Sequence, residues 1–572
     1  MTAKYEYLYP IINDYCSRNF SSKLEFTDYK RKACSNSNFK TKPPTNFELR
    51  QAYNEMLLRG LIEKNNNFEE LSKVKSTREN QGVIVFTVVM SPTQDGTEFF
   101  SCKYDCHYCP NVPGYARSYY PGEPAVNRGD EVNWDPAEQV YLRARQLIKT
   151  GIIKNDNITA NGYKLDFIIE GGTYESYNWE YRRKFIHQLF YACNTFFNSS
   201  EYRRELKSLE EEQKINETSQ MRIVGLSIET RPDTINVPLL KELRELGVTR
   251  IQIGVQHLDD EILNKINRRC TLKHTKRAIK FLLDNCFKVA VHYMPDLPGS
   301  SPEKDLAMWE QLFNDPELCF DYVKVYPCMV MPYTKIKEWY DSGEYKPYSE
   351  EMIDLQYGDG STKKVSKVVP VCADFLLKCK KYQRIERMLR DLPISEQEGG
   401  CNMTNLRQGV QEYLESHNRG SEIKEIRYRE IRDNQIDYTN ARMFILRYEA
   451  SNGIEYFISY ETEDEKYLLG FIRLRIPNER TQSRGKVIQE LNGCALVREI
   501  HVYGKATQVG DTSTTNTQHR GYGTNLLKKA EEIAYQEHGF NQIAVISGVG
   551  VKNFYRKNGF TDGQYYLIKN LN

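Results

Sequence analysis

Residues 102–109 read Cys-Lys-Tyr-Asp-Cys-His-Tyr-Cys, and they follow an apolar run with β-strand character, Val83–Met90. Three closely spaced thiolates can hold three irons of a [4Fe–4S] cube and leave the fourth iron open to an outside ligand. Zinc is the competing metal, with His107 as a fourth ligand, because structural zinc sites use four protein ligands. The strand-then-cysteine order favours the iron–sulfur cluster. The predicted cluster ligands are Cys102, Cys106 and Cys109.

Around this stretch, short apolar runs alternate with amphipathic ones. Six successive strand-then-helix units predict an α/β fold with a parallel sheet and right-handed crossovers. The charged stretch Glu201–Glu217 predicts an inserted, solvated helix, and polar Gly358–Lys367 predicts an insertion or a domain edge. The predicted strands are Val83–Met90, Leu165–Ile169, Ile223–Ile228, Arg250–Val255, Lys288–Met294 and Tyr322–Val325. The predicted helices are Pro136–Lys149, Trp179–Phe196, Pro238–Leu246, Lys273–Asp284 and Pro302–Phe313.

The last part of the chain, from about Asp437, has another pattern. Four consecutive strands are followed by a glycine-bearing loop and then by alternating helices and strands, which predicts a separate α+β domain. The strands are Met443–Tyr448, Tyr456–Tyr460, Leu468–Leu474 and Ala495–Val502, and the following helix is Thr524–His538. The loop Gln518–Gly523 reads QHRGYG, and its glycines suit a pyrophosphate at the helix N-terminus.

Composition limits the remaining possibilities. The 572 residues include 79 Lys and Arg against 77 Asp and Glu, so nucleic-acid binding would have to come from a local patch. No apolar run approaches the length of a membrane helix, and we expect a protein of the cytosol or nucleus without a membrane partner. The N-terminal segment Lys30–Lys42 contains no acidic residue and is either a solvated loop or a patch for an anionic partner. Its basic residues are Lys30, Arg31, Lys32, Lys40 and Lys42.

A cysteine triplet on a parallel partial (β/α)6 barrel resembles the radical S-adenosylmethionine (SAM) superfamily, in which SAM chelates the open iron. Gly171, Gly172 and Thr173, at the end of the second strand, resemble the superfamily's glycine pair that receives the methionine amine. The C-terminal domain resembles the GNAT acetyltransferases, in which a splayed strand and the glycine loop bind acetyl-CoA. That likeness implies a loop contact for Gln518, Gly521, Tyr522, Gly523 and Thr524 and a strand contact for Glu499, Ile500, His501 and Val502. It also places Tyr555 near the thioester sulfur, although a core aromatic is the other reading.

Several runs, from about Lys73 to the C-terminus, resemble the family of Elongator complex protein three, the tRNA wobble-uridine carboxymethyl synthases. They are Ile228–Asp233, Ile253–Gln256, His292–Pro298, Val323–Pro327, Arg498–Gly504 and Ala544–Gly550. This resemblance implies that acetyl-CoA and SAM radical chemistry form 5-carboxymethyluridine at the wobble position of tRNA. It also implies that Lys164 reaches acetyl-CoA and that Lys324 and Tyr326 lie near the reacting groups. A structural ion pair is the alternative role for Lys324.

The same resemblance implies the cofactors and partners. The cofactors are a [4Fe–4S] cluster, SAM and acetyl-CoA; the partners are the tRNA anticodon stem-loop and other Elongator subunits. We expect an N-terminal basic tRNA-binding region (1–80), a radical SAM domain (81–350), a linker and barrel extension (351–436) and a GNAT domain (437–572). Two other functions remain open at this point: protein lysine acetylation with the barrel as a scaffold, and a catalytically inactive assembly or RNA-binding module.

Overall fold

The computed structural model describes residues 5–18, 20–36, 44–72, 82–94, 102–153, 162–198, 203–431, 440–478, 487–504 and 521–571. A small helical layer comes first, and it is built around a buried aromatic cluster that includes Tyr15, Tyr53 and Phe68. Its third helix begins with a capping box, in which Thr45 and Glu48 satisfy each other's backbone amides. The helices of this layer are α1 Tyr9–Cys16, α2 Lys23–Asn36, α3 Asn46–Leu58 and α4 Asn66–Leu71.

The central part of the chain forms the predicted parallel barrel. The barrel strands are β1 Ile84–Val89, β2 Tyr163–Glu170, β3 Met221–Thr230, β4 Arg250–Gln256, β5 Lys288–Tyr293 and β6 Tyr322–Val325. Shorter strands follow: β7 Met329–Val330, β8 Met352–Gln356, β9 Thr362–Ser366, β10 Arg384–Arg387 and β11 Gly399–Gly400. Strands β1 to β6 pair in sequence order, β10 pairs in parallel with β6, and the sheet therefore has seven strands.

Helices cover the outside of this sheet. They are α5 Pro124–Glu131, α6 Pro136–Lys149, α7 Trp179–Thr195, α8 Leu209–Asn216, α9 Val237–Glu245, α10 Asp260–Lys265, α11 Leu272–Asp284 and α12 Pro302–Asn314. The extension adds α13 Lys335–Asp341, α14 Val368–Lys378, α15 Leu406–Ser416 and α16 Ile426–Arg429. Among the helices that the structure describes, none combines the length and the apolar character needed to cross a membrane.

The six predicted strands and five predicted helices are confirmed, with ends that differ by at most two residues. One expectation needs correction. Within the described part of the predicted stretch Glu201–Glu217, residues 203–217, the helix is α8, and it is not simply solvated, because Leu209 and Glu212 are buried. The polar stretch after Gly358 lies in the β8–β9 hairpin. The seventh parallel strand, β10, was not predicted.

The C-terminal sheet is antiparallel at first and mixed at its end, as an α+β domain requires. Its strands are β12 Ala441–Ala450, β13 Gly453–Thr462, β14 Leu468–Ile476, β15 Cys494–Val502, β16 Gln542–Val545, β17 Thr561–Asp562 and β18 Leu567–Asn570. Helix α17 spans Tyr522–Glu532 and continues as a π-helical turn to Glu537, and α18 spans Lys552–Lys557. The order of strands in the sheet is β12-β13-β14-β15-β16-β18-β17.

A buried network of ion pairs joins the two sheets. Arg498 on β15 binds Asp321, next to β6, at 2.6 Å and Glu455 on β13 at 2.7 Å. Arg473 on β14 binds Asp321 at 3.3 Å and Glu499 at 2.9 Å. These side chains are almost fully buried, so each charge depends on its partners for stabilisation. The network therefore fixes the C-terminal domain against the barrel.

Candidate active site

The three predicted cluster ligands surround one cavity. Cys102, Cys106 and Cys109 are all free thiols, and all three line a cavity at the carboxyl end of the barrel strands. In the part of the chain that the structure describes, no three metal-binding side chains converge closely enough for a single metal ion. Separated thiols around a shared space are compatible with a cube, because each thiolate binds a different iron atom.

Two arginines place positive charge at the central cysteine. Arg231 and Arg268 donate to the Cys106 sulfur, with nitrogen–sulfur distances of 3.6 and 3.5 Å. Burial alone would raise the pKa of the Cys106 thiol, but Arg268 and Arg231 bring it below its ordinary value. Burial and the neighbouring Cys106 raise the pKa of Cys109 to about 11. Thiols around a cavity with fixed cationic donors fit an iron–sulfur cluster, which is anionic and is tuned by hydrogen bonds to sulfur.

His107 does not complete this ligand set. Its Nδ1 atom lies 3.1 Å from the Lys265 carbonyl oxygen, and its ring packs edge-to-face on Trp339. His107 is not among the described residues that line the cysteine cavity. The zinc alternative therefore lacks the fourth ligand that the sequence offered.

The glycine pair lies beside the cysteines. Gly171 and Gly172 have φ angles of +147° and +94°, which favour glycine. A Cβ atom on Gly171 would lie 2.8 Å from the Cβ of Met90, so no side chain fits there. Gly172 and Thr173 line the cysteine cavity, and the Cys102 thiol donates to the Thr173 hydroxyl at 3.3 Å. The predicted cofactor-binding turn is therefore adjacent to the predicted cluster.

A second cavity adjoins the first inside the barrel, and we call it the barrel chamber. Lys324 and Tyr326 line it, as do Glu229 and His292, which both cavities share. The Lys324 ammonium group donates to Glu229 at 3.1 Å, and the Tyr119 hydroxyl donates to the same carboxylate at 2.7 Å. Burial would raise the pKa of Glu229, but Lys324 and His292 bring it down to about 2. Lys324 thus forms the ion pair that was its alternative predicted role, and it does so in the wall of a polar chamber.

The predicted acetyl-CoA strand faces the other end of the barrel. Glu499, Ile500, His501 and Val502 line a cavity together with Lys164, Tyr322 and Arg384 from the barrel, and we call it the interdomain cavity. Parallel pairing between β15 and β16 covers Cys494 to Val497 and does not include these four residues. Burial and the nearby Arg222 lower the pKa of Lys164.

The glycine loop is described in part. Gly521 is the N-cap residue of α17 and has a φ of +75°. This left-handed backbone conformation is one that glycine adopts easily and other residues rarely adopt. A Cβ on Gly523 would contact Phe554 at 3.4 Å and Val502 at 3.7 Å. Tyr522 and Thr524 lie in the first turn of α17, whereas Gln518 lies outside the described residues.

Tyr555 lies in the core of the C-terminal domain. It is 5% exposed and packs against Phe554 and Phe560. Burial raises the pKa of Tyr555, so its hydroxyl stays protonated at neutral pH. The surrounding aromatic cluster agrees with the core-aromatic reading, and its protonated hydroxyl is the form that a proton donor to a thiolate needs.

The N-terminal basic residues are divided between described and undescribed parts. Lys30, Arg31 and Lys32 lie on α2, whereas Lys40 and Lys42 lie outside the described residues. Lys30 donates to Asn46 at 2.9 Å, and Arg31 lies 3.7 Å from Asp28. Lys32 is exposed.

The sequence analysis missed several polar residues of the site. Arg231 belongs to the family-like segment Ile228–Asp233, but nothing in that segment indicated a hydrogen bond from Arg231 to Cys106. The carboxyl groups of Glu170 and Glu229 were hidden in strands that their apolar neighbours identified. Alternation along β2, with Lys164, Asp166 and Glu170 on one face, was the available signal.

Comparisons with known proteins agree with both halves of this architecture. Three family models match: the radical SAM superfamily over residues 99–309, the Radical_SAM C-terminal domain over 320–416 and the acetyltransferase (GNAT) family over 421–560. The tRNA uridine(34) acetyltransferase of Methanocaldococcus jannaschii is 35% identical over 511 residues, which are 87% of this chain and 86% of the relative. Elongator complex protein 3 of Homo sapiens is 32% identical over 508 residues, with 87% and 86% covered.

A solved structure is similar over nearly the same length. The archaeal Methanocaldococcus infernus Elp3 with an N-terminal deletion superimposes with a TM-score of 0.67 at 32% identity, covering 86% of this chain and all of that chain. The level of identity and the coverage of both chains are those of members of one family. This chain belongs to the family of Elongator complex protein 3 and the tRNA uridine(34) acetyltransferases, which joins a radical SAM barrel to a GNAT domain.

Proposed function

We propose that this protein modifies the wobble uridine of tRNA, using acetyl-CoA and SAM radical chemistry to form 5-carboxymethyluridine. The observation that carries the proposal is the interdomain cavity, because Glu499–Val502 of the GNAT strand and Lys164 of the barrel line the same space. A GNAT domain acting alone has no need of this arrangement. The relatives that are named tRNA uridine(34) acetyltransferase support the choice of substrate.

The residues of the barrel have distinct roles in this proposal. Cys102, Cys106 and Cys109 would hold the cluster, and Gly171 to Thr173 would receive the methionine part of SAM. When bound, these cofactors supply a 5′-deoxyadenosyl radical that removes a hydrogen atom from the acetyl methyl group. The acetyl carbon would then bond to C5 of the uridine, the ring would lose one electron to an acceptor and the C5 hydrogen as a proton, and hydrolysis of the thioester would leave the carboxymethyl group. The reacting groups would lie inside the barrel, whose walls would limit contact of the reactive species with bulk water.

Residues near the two ends of the barrel position the substrates. Lys324 and Tyr326 would hold the reacting groups in the barrel chamber, and Lys164 would reach acetyl-CoA from the barrel side. Glu499–Val502, Gln518 and Gly521–Thr524 would bind the pantetheine and pyrophosphate, where glycine permits close approach of the backbone. Tyr555 would protonate the leaving thiolate.

Protein lysine acetylation is less well supported. A GNAT enzyme that acetylates an amine needs a group that can accept the amine proton. Glu499 lies on the acetyl-CoA strand, but Tyr322 donates to one of its carboxylate oxygens and Arg473 donates to the other at 2.9 Å. Burial would raise the pKa of Glu499, but Lys288 and Arg473 lower it, so it is a weak base. A scaffold role for the barrel would also leave its cysteine triplet without a purpose.

The proposal extends to domains, partners and location. We assign residues 1–80 to tRNA binding through Lys30, Arg31, Lys32, Lys40 and Lys42, 81–350 to radical chemistry, 351–436 to a barrel extension and 437–572 to acetyl-CoA binding. The partners would be the tRNA anticodon stem-loop and other Elongator subunits, in the cytosol or the nucleus. A wobble base must leave its stack to enter the barrel chamber, as in other enzymes that modify bases.

One experiment separates these functions. The protein is reconstituted anaerobically with iron and sulfide, given a reductant, SAM, acetyl-CoA and tRNA, and the tRNA nucleosides are analysed by mass spectrometry. We expect 5-carboxymethyluridine and 5′-deoxyadenosine to form, and neither to form without acetyl-CoA or with Cys106→Ala. Acetyl-lysine formation with unmodified tRNA would instead support the acetyltransferase, and unmodified tRNA with no SAM cleavage would support the inactive module.

A further inference from the structure

Three carboxyl groups line the barrel chamber, and they are not equivalent. Glu229 accepts from Lys324 and Tyr119, and Glu123 accepts from Arg390 at 2.9 Å and from the Tyr120 amide at 2.8 Å. For the carboxylate of Glu170, no hydrogen bond or ion pair is found among the described residues. Glu170 is the carboxyl group of this chamber that remains available to a substrate.

The position of Glu170 places it close to the reacting groups. It is the last residue of β2 and directly precedes Gly171 and Gly172 of the cofactor-binding turn. It lines the same chamber as Lys324 and Tyr326, which the proposed function places against the substrates. The residue is half-buried and belongs to the lining of the chamber.

The surroundings of Glu170 suit proton transfer. Burial and the Glu229 carboxylate raise the pKa of Glu170 to about 7, while Lys324 opposes this rise. A proton acceptor works best when its pKa is near the operating pH. The titratable and charged groups of the chamber wall are Glu123, Glu170, Glu229, Lys324, Arg387, Arg390, His292, Tyr108, Tyr119 and Tyr326.

The proposed reaction needs such a group in its final step. When the acetyl carbon bonds to C5 of uracil, an unpaired electron is left on C6 and the C5–H bond remains. To restore the C5–C6 double bond, the ring must lose one electron to a one-electron acceptor, such as an oxidised iron–sulfur cluster. It must also lose the C5 hydrogen as a proton, with the electron pair of the C–H bond forming the new double bond.

We propose that Glu170 is the base that accepts this C5 proton. The inference rests on the proposed function, and Glu229 keeps a different role as the ion-pair partner of Lys324. The protonated carboxyl group of Glu170 then releases its proton to the solvent of the chamber. Because this step follows SAM cleavage, loss of Glu170 should uncouple SAM cleavage from uridine modification without stopping SAM cleavage.

The test compares Glu170→Gln with the wild type, with Glu170→Asp as the conservative variant and Glu310→Gln, at an exposed glutamate of α12, as a matched change outside the chamber. The measured quantity is the ratio of 5′-deoxyadenosine to modified uridine. General bases contribute about 10²–10⁴-fold to a rate, so we expect the ratio to rise at least about tenfold in Glu170→Gln. Glu170→Asp should recover part of the coupling, and Glu310→Gln should leave the ratio within about twofold.

Two further measurements distinguish proton transfer from a structural role. In the wild type the ratio should increase as the pH falls below about 7, because a protonated Glu170 cannot accept a proton, and the ratio in Glu170→Gln should not depend on pH. The difference between the infrared spectra of the cofactor-free wild type and Glu170→Gln should contain a carboxyl signal that titrates near pH 7, because Glu175 and Asp296, whose pKa values burial also raises to about 7, contribute to both spectra. Binding of the anticodon stem-loop RNA should be equal in both.

Each contrary result has a separate meaning. An unchanged ratio in Glu170→Gln, a carboxyl titration below about pH 5 as for an ordinary glutamate, or loss of SAM cleavage together with modification would overturn the role of Glu170. Absence of modified uridine with the wild-type protein would instead overturn the proposed function.

Discussion

The ion pairs between the two sheets give the most direct structural prediction. Arg498→Met removes the cation that Asp321 and Glu455 share, while keeping the volume of the side chain. Breaking a buried pair from one side costs about 3–5 kcal/mol. Asp321 keeps Arg473 and the Val289 amide, at 3.3 and 2.8 Å, and Glu455 keeps Arg475 at 3.2 Å. We therefore expect the low end of the range, about 3 kcal/mol.

The assay is native-state hydrogen exchange followed by mass spectrometry, because a single unfolding free energy is poorly defined for a chain of several domains. Peptides that cover β6 and β15 should exchange about 100-fold faster in Arg498→Met, since each 1.4 kcal/mol is a factor of ten. The control is Arg419→Met, which breaks an exposed pair with Glu422 that solvent screens. If exchange at β6 and β15 stays within twofold of the wild type, the Arg498 ion pairs do not stabilise the contact between the two sheets.

The same network predicts a dependence on pH. Burial would raise the pKa of Asp321, but Arg498 and Arg473 bring it down to about 2. A carboxyl group with a depressed pKa stabilises the folded state above its unfolded pKa of about 4, and this contribution is lost as the pH falls toward 2. Protection of β6 should therefore decrease between pH 4 and 2 in the wild type, and less steeply in Arg498→Met.

Three further predictions concern the cofactors and the RNA. Cys106→Ala should lose the broad iron–sulfur absorbance and SAM cleavage, and a variant that keeps a full cluster and cleaves SAM would contradict the ligand assignment. Gly523→Glu adds bulk next to Phe554 and a charge opposed to pyrophosphate, so calorimetry should show CoA affinity reduced at least tenfold, about 1.4 kcal/mol; equal affinity would remove this loop from the site. Replacing the five N-terminal basic residues with Ser should weaken tRNA binding and flatten its dependence on salt, by about 0.7–0.9 in log–log slope per lost contact, with CoA binding unchanged. Equal affinity and slope would place the RNA surface elsewhere; the replaced residues are Lys30, Arg31, Lys32, Lys40 and Lys42.

The six predicted strands of the barrel were predictable because each contains several buried apolar residues, which form a continuous buried run in β4 and β6 and alternate with less buried residues in β2. Strand β10 was not, because it has four residues and reads Arg-Ile-Glu-Arg. Of these, Ile385 is fully buried, while Arg384 and Glu386 line the interdomain cavity. Because these side chains face a polar cavity, the strand lacks the apolar pattern from which strands are predicted.

The buried arginines were unpredictable for a related reason. Arginine in a strand normally indicates an exposed face, yet Arg473, Arg475 and Arg498 have almost no exposure. Their burial is possible because acidic partners come from distant parts of the chain: Asp321 precedes Arg498 by 177 residues. Local sequence patterns contain no information on such pairs. The cysteine triplet and the glycine pair were accessible because their spacing is local.

An isotope measurement shows directly whether acetyl-CoA and the SAM-derived radical react together on uridine. The reconstituted protein is supplied with acetyl-CoA that carries a fully deuterated methyl group, together with unlabelled SAM and tRNA. We expect 5′-deoxyadenosine with one deuterium atom and 5-carboxymethyluridine with two. Modified uridine formed alongside 5′-deoxyadenosine that contains no deuterium would contradict it.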